Sequence, residues 1–248
     1  DSVLEPGQTH LGSTKDIRGR TQYFADRGMT VDECAHERSA AGLGADAALV
    51  VTPPYVRPTQ AGLEAHFRAV ADDSRIPLLL YNVPGRTGCD MEPETTAALA
   101  AHPRIVGIKE ARNDPERMQQ LLPLRNDGFV VLSGDDPTAA RAMLAGADGV
   151  VSVASNVLPR AMRRLCDLAR KGDAKEAMAL HARLEPVFAF LAVEPNPIPL
   201  KALLALGGIG RGLRLPLTTL SQAHSGAAAE AATAIHQLEQ ECRGRPAA

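Results

Sequence analysis

From about residue 46 the chain alternates short, almost continuous apolar runs with segments whose apolar residues recur at helical spacing. The runs "DAALVVT", "IPLLLYNV", "IVGIK", "FVVLS" and "GVVSV" are short, rich in Val, Ile and Leu, and bounded by turn residues, which is the pattern of strands. Between them lie amphipathic segments near 59–73, 93–101, 114–125 and 137–145. Near-continuous apolar runs separated by single helices predict parallel strands buried on both faces, here in five βα units. After about residue 157 only helical patterns remain, near 158–171, 174–191, 197–206 and 222–242, with "EPNPIP" as a proline-rich corner and "GGIGRG" as a flexible link. The first 45 residues are polar and glycine-punctuated, lack a sustained apolar run, and support no assignment. The expected division is an unassigned segment over 1–45, a β/α region over 46–172 and a helical domain over 173–248.

In parallel α/β folds chemistry collects at the carboxyl ends of the strands. Sorted this way, the run 47–52 leads into "TPPYVRP" with Tyr55, the run 76–80 leads to Tyr81 and "NVPGRTG" with Arg86, and the run 105–108 ends in Lys109. Each residue has a plain structural reading. A strand-end lysine can lay its methylenes on the core and send its ammonium into water. The tyrosines suit half-wet packing surfaces, and Arg86 suits a solvated turn, although its planar fork also fits a carboxylate. Asp136 before Pro137 reads as a helix N-cap, and Lys201 at a helix start reads as an anchor for the helical region. "GGIGRG" follows a helix instead of a strand, so it resembles a nucleotide loop only superficially.

Composition changes the weight given to Lys109. Of the 27 cationic side chains only five are lysine, namely Lys15, Lys109, Lys171, Lys175 and Lys201. The solvated cationic surface is thus built from arginine, while lysine is the cation that can lose its proton and act as an amine nucleophile. With 248 residues, 45% of them hydrophobic, the chain can bury a full core. A net charge of −2 gives no reason to expect nucleic acid or an anionic membrane as partner. No apolar stretch reaches spanning length, and "DSVLEPGQTH" lacks the basic and apolar parts of a signal peptide. Cys34, Cys89, Cys166 and Cys242 show no metal-ligand or redox spacing, and a reducing cytoplasm is the expected compartment.

The stretches "VVTPPYVRPTQAGLEAHFRAVA", "LLLYNVPGRTGCDMEPET", "IVGIKEA", "LSGDDPTA", "GVVSVASNV" and "VEPNPIPLKALLALGG" together resemble the dihydrodipicolinate synthase family of pyruvate-dependent class I aldolases, in order and spacing, from about residue 40 to 220. "YNVPGRTG" and "EPNPIPLK" are more similar to the synthases than to relatives that cleave sialic acid or keto-deoxy sugar acids. The resemblance implies a TIM (β/α)8 barrel with a C-terminal helical domain, assembled as a homotetramer, a dimer of dimers. It implies that Lys109 forms a Schiff base with pyruvate, that Tyr81 relays protons, and that Tyr55 enters a neighbouring subunit's active site. It also implies that Arg86 receives the carboxylate of aspartate semialdehyde and that Val151 lies where a strand carbonyl approaches pyruvate. No metal or organic cofactor is then required, because the iminium nitrogen is the electron sink. The reaction implied is condensation of pyruvate with aspartate 4-semialdehyde in lysine and diaminopimelate biosynthesis.

The sequence departs from the family at its start. The glycine-threonine-threonine-glycine-glutamate motif, whose threonines bridge the tyrosines and bind the pyruvate carboxylate, is absent, and Ser13-Thr14 is the nearest stretch. Pro54 also stands where the family often has an aromatic residue. Five strands do not close a barrel of eight, so open edges are expected from the sequence, with three explanations: a fragment, a shifted N-terminal reading frame, or a diverged protein that covers the edges differently. The alternatives are a pyruvate aldolase or lyase for another aldehyde, and a catalytically impaired homologue that binds a keto acid.

Overall fold

The structure is a computed structural model that describes residues 40–210 and 212–243 in full, together with the backbone of two strands near the amino end. Its chain forms two compact units, Asp1–Gly134 and Asp135–Ala248.

In the first unit, β1 (Leu11–Lys15) and β2 (Thr21–Ala25) pair antiparallel, Leu11 opposite Ala25 and Lys15 opposite Thr21. Both fall in the stretch to which the sequence alone assigned nothing. Ser13 and Thr14 belong to the β1 backbone, but their side chains, like Cys34, lie outside the described residues. The parallel strands follow: β3 (Ala48–Val51), β4 (Leu78–Asn82), β5 (Ile105–Glu110) and β6 (Val130–Ser133). Their order is that of the sequence, and Val51, Tyr81, Lys109 and Leu132 stand level across the ladder. Leu78, Leu80, Ile108 and Val131 line one face and are wholly shielded from solvent, whereas Leu79, Tyr81, Val130 and Leu132 on the other face are half-buried, so the burial on both faces that the apolar runs predict holds fully for one face only.

The connecting helices start at recognisable caps. Helix α1 (Gln60–Asp73) begins at Thr59, whose side chain accepts from the Gly62 N–H, and buries Leu63, Phe67, Val70 and Ala71 at spacings of four, three and one that keep them on one face. A single turn, α2 (Pro84–Thr87), and α3 (Pro93–Ala100) precede β5. Helix α4 (Pro115–Leu121) is capped by Asp114, which accepts from the N–H groups of Glu116 and Arg117. Gly107 permits the approach of β5 to β6, since a Cβ there would lie 2.5 Å from Val130 Cγ2 and 2.6 Å from its carbonyl oxygen.

The second unit contains α5 (Asp136–Leu144), the two-residue strand β7 (Gly149–Val150), α6 (Pro159–Arg170), α7 (Ala174–Leu191), α8 (Ile198–Leu206) and α9 (Ser225–Glu241). Two expectations are corrected here. Asp135, not Asp136, is the N-cap of α5, accepting from the Thr138 N–H at 3.1 Å and the Thr138 hydroxyl at 2.7 Å. Asp136 is buried, and its Oδ2 instead accepts the backbone N–H groups of Val153 and Ala154 at 3.0 and 2.8 Å. That contact also ends the strand: with the Val153 N–H taken by a carboxylate, "GVVSV" yields two ladder residues where the apolar run suggested five.

The unit boundary at 134/135 lies ahead of the 172/173 division expected from the helical patterns. The reason is packing: Ala139, Ala140 and Met143 of α5 share one apolar cluster with Leu165 of α6, Leu184 and Phe188 of α7 and Leu203 of α8. Glu239 of α9 closes this arrangement by accepting the Arg160 and Ala161 N–H groups, both at 2.9 Å, at the electropositive start of α6. In the "GGIGRG" link Gly208, Gly210 and Gly212 all have positive φ, which suits a segment that leaves α8 without continuing it. Lys201, expected to anchor the helical region, is exposed on α8.

Candidate active site

Tyr81 and Lys109 occupy facing register positions at the carboxyl ends of adjacent strands, so the pleat sends both side chains to the same face. The Lys109 side chain does not snorkel. The residue is only 9% exposed, and its Nζ stands 4.0 Å from the centroid of the Tyr81 ring. Its methylenes run past Gly134, at which a Cβ would lie 2.8 Å from Lys109 Cε and 3.0 Å from Cγ. Glycine is therefore needed at the tip of β6 for the lysine to lie where it does.

The next residue on each strand faces the other way, and there the structure holds a polar network. Asn82 and Glu110 are again level in register, and both are buried. Asn82 Nδ2 donates to Glu110 at 3.0 and 3.2 Å and to Asp90 Oδ1 at 2.8 Å, while its Oδ1 accepts the Met91 N–H at 3.0 Å. Arg117 grips Asp90 with two bonds of 2.9 and 3.1 Å and donates to the Met91 carbonyl at 2.6 Å. Arg112 adds a 2.6 Å bond to Asp90, and its backbone N–H donates to Glu110 at 2.7 Å.

The two carboxyl groups of this network are pushed in opposite directions. Burial raises Glu110 to about 7, against the pull of Asn82, the Arg112 N–H and the more distant Arg117 guanidinium. Burial also acts on Asp90, but Asn82, Arg117 and Arg112 outweigh it and hold that carboxyl below its ordinary value.

The loops over this end are tied to the strands. Thr52, directly after β3, donates its hydroxyl to that of Thr87 at 3.1 Å, and Thr87 in turn donates to the Cys89 carbonyl at 2.9 Å. The Tyr55 N–H bonds the Thr87 carbonyl at 3.2 Å, and Tyr55 and Arg57 both adopt positive φ, uncommon for residues with a side chain. Gly88, also at positive φ, lies under the Arg57 guanidinium, where a Cβ would come within 3.3 Å of Nε. Tyr55 is 93% exposed and Arg86 is exposed on α2. Of the sequence-derived candidates in the first unit, the structure thus brings together Lys109 and Tyr81, and leaves Tyr55 and Arg86 at the surface of the neighbouring loops. Val151 follows β7 in the second unit and is half-buried.

Residue-by-residue reading missed Gly134 and the Asn82, Glu110, Asp90 and Arg117 network. A signal for the network was present: "YN" and "KE" end two apolar runs with consecutive polar residues, so one residue of each pair must turn to the covered face and find polar partners there. Among the described residues no three His, Cys, Asp or Glu side chains converge to hold a metal ion, and no helix is long and apolar enough to cross a membrane. What the site offers is a primary amine held against a phenol ring, on a rim with loop hydroxyls and a surface guanidinium nearby in sequence.

Comparison with known proteins identifies the setting. The sequence profile of the dihydrodipicolinate synthetase family matches residues 14–235, so the family match reaches into the 1–45 segment expected to lie outside it. The chain is 61% identical over 225 residues to a 4-hydroxy-tetrahydrodipicolinate synthase of Xanthomonas campestris pv. campestris, covering 90% of this chain and 74% of the relative. It is 56% identical over 237 residues to the synthase of that name from Stenotrophomonas maltophilia. Its structure superposes with a TM-score of 0.82, at 41% identity and over 88% of this chain and 76% of the other, on the chloride-inhibited dihydrodipicolinate synthase of Acinetobacter baumannii complexed with pyruvate. The parallel strands, the helices between them and the helical carboxyl end are those of the (β/α)8-barrel synthases. By sequence and by structure, the chain belongs to the dihydrodipicolinate synthetase family.

Proposed function

We propose that this chain is a class I aldolase-type synthase that condenses pyruvate with aspartate 4-semialdehyde, the 4-hydroxy-tetrahydrodipicolinate synthase reaction of lysine and diaminopimelate biosynthesis. The observation that carries the reading is the buried Lys109 amine over Tyr81, at paired strand tips of a chain 61% identical to a synthase of that name. In this reading the neutral Lys109 amine attacks the keto carbon of pyruvate, the carbinolamine loses water, and the resulting iminium acidifies the pyruvate methyl, which gives up a proton to a base, the role of the Tyr81 oxygen, to leave an enamine. The enamine carbon then bonds to the aldehyde carbon of the second substrate, whose oxygen takes up a proton; the iminium that this re-forms is attacked by the amino group of the same substrate, which displaces Lys109 and frees it for the next turnover.

Tyr81 is the phenol placed to carry protons in these steps, since its ring already lies against the amine. Arg86, exposed on the loop after β4, serves as the fork for the carboxylate of the incoming aldehyde. Tyr55, with its side chain directed into solvent, is available to a second copy of the chain, and we place it in the neighbour's site of a homotetramer. Val151 supplies a backbone carbonyl near pyruvate. The cytoplasm, where both substrates are made available to a biosynthetic enzyme, is the proposed compartment.

The test is a condensation assay with pyruvate and aspartate semialdehyde, using the purified chain and its Lys109→Arg variant. Turnover is expected from the wild type and loss of turnover, with an unchanged circular dichroism spectrum, from the variant, because arginine keeps the charge but cannot form the imine. Consumption of pyruvate only with a different aldehyde would redirect the reading to another aldolase. Pyruvate binding without consumption would leave an impaired keto-acid-binding homologue.

A further inference from the structure

The mechanism uses one face of the β4 and β5 tips. The opposite face carries a buried carboxyl group that the mechanism leaves unused. Glu110 is 1% exposed, and Asn82, level with it on β4, is wholly buried. Asn82 spends both donor hydrogens on Glu110 and Asp90, and its oxygen accepts the Met91 N–H, so the amide is held in one orientation. Around Glu110 stand Asn82 from β4, Asp90 from the loop after α2, Arg112 and Asp114 from the loop after β5, and Arg117 from α4. Arg117 reaches Glu110 at 3.7 Å but is already engaged by both oxygens of Asp90.

We propose that Glu110 is a positioning residue for the Lys109 amine: by clamping β4 to β5 through Asn82, on the face away from the amine, it fixes the strand tips so that Lys109 lies over Tyr81. The inference rests on reading Lys109 as the nucleophile, but its geometry does not. Lys109 and Glu110 are consecutive on one strand, and so are Tyr81 and Asn82 on the next. A shift of the Asn82 and Glu110 pair therefore moves the backbone that carries the other two. A misplacement of about 1 Å at a reacting amine is sufficient to slow chemistry on the order of a hundredfold. With Glu110 raised to about 7, the clamp also changes its charge near neutral pH: protonated, it answers Asn82 and the Arg112 N–H with a neutral carboxyl; ionised, it faces Asp90 across the shared arginine.

The deciding readout needs no pyruvate, which separates it from the proposed reaction; trapping with pyruvate is a second readout. Protein labelled with carbon-13 at the lysine ε position gives signals from five lysines, and Lys109→Arg identifies that of Lys109. The attached protons lie against the Tyr81 ring, so their signal is expected upfield of the other lysines, with an inflection near pH 7 that reports Glu110. Glu110→Gln keeps the shape and an acceptor oxygen, and is expected to hold the upfield position while losing the inflection. Glu110→Ala is expected to lose the upfield displacement and, with pyruvate and borohydride, to trap at least about tenfold more slowly. A folded Glu110→Ala with its signal at the wild-type position, or a Glu110→Gln signal moved from the upfield position, would overturn the proposal, and a wild-type signal flat through neutral pH, or the same inflection in Glu110→Gln, would overturn the charge switch at Glu110. If Glu110→Ala does not fold, the Glu110→Gln position decides.

Discussion

Lys109 owes its place to what its neighbours lack as much as to what they supply. A methyl group at Gly134 would stand 2.8 Å from Lys109 Cε and equally close to Ala111 Cβ, closer than van der Waals contact permits. Lysine is flexible and can yield, but it yields by leaving Tyr81. The Ala111 Cβ cannot yield in that way, so Gly134→Ala is expected to lower the melting temperature and, in the folded protein, to form the pyruvate imine at least about tenfold more slowly, measured by the rate of borohydride trapping. An unaltered trapping rate would show that the lysine has room to spare. This constraint was illegible in the sequence, where "LSGDDPTA" shows a glycine in a turn and nothing of the side chain from the neighbouring strand that crosses it.

At the scale of elements, the sheet edge that builds the site depends on a second glycine. Gly107 lets β5 approach β6, and a methyl group there would meet both the side chain and the carbonyl of Val130 at 2.5–2.6 Å. Backbone cannot swing aside as a lysine can, so Gly107→Ala is expected to cost about 1–3 kcal/mol of stability, read from chemical denaturation, and to widen the strand pair. Strands and helices were legible because their apolar periodicities are local: Leu63, Phe67, Val70 and Ala71 announce α1, and "IVGIK" announces β5. The length of β7 was not, because Asp136, far along the chain, takes the Val153 N–H that would have continued it. The same holds for the site. Lys109 and Tyr81 were visible as strand-end residues, whereas the Asn82 and Glu110 pair depends on a register between strands that no single run displays.

At the scale of the whole molecule, the buried network makes stability depend on pH. Glu110 is raised from an ordinary value near 4.5 to about 7, so the folded state binds a proton that the unfolded chain gives up. The stabilisation associated with that proton is complete below about 4.5 and is lost as pH rises through about 7, a difference on the order of 3 kcal/mol. Asp90 works in the opposite sense: its lowered value gives stability that is present above the ordinary carboxylate range and lost in acid. The melting temperature of Glu110→Gln relative to the wild type is thus expected to rise between about pH 4.5 and about pH 7, with the difference constant above that window. A difference that does not change with pH would mean that Glu110 is ionised throughout, and would remove its charge switch from the account.

The most direct test of the central claim is chemical. Incubation of the protein with pyruvate, reduction with borohydride and peptide mass mapping should place the reduced adduct on Lys109, and Lys109→Arg should abolish it while leaving the fold intact. An adduct on Lys15, Lys171, Lys175 or Lys201 instead, or none on a folded chain, would contradict the assignment of the buried amine as the nucleophile.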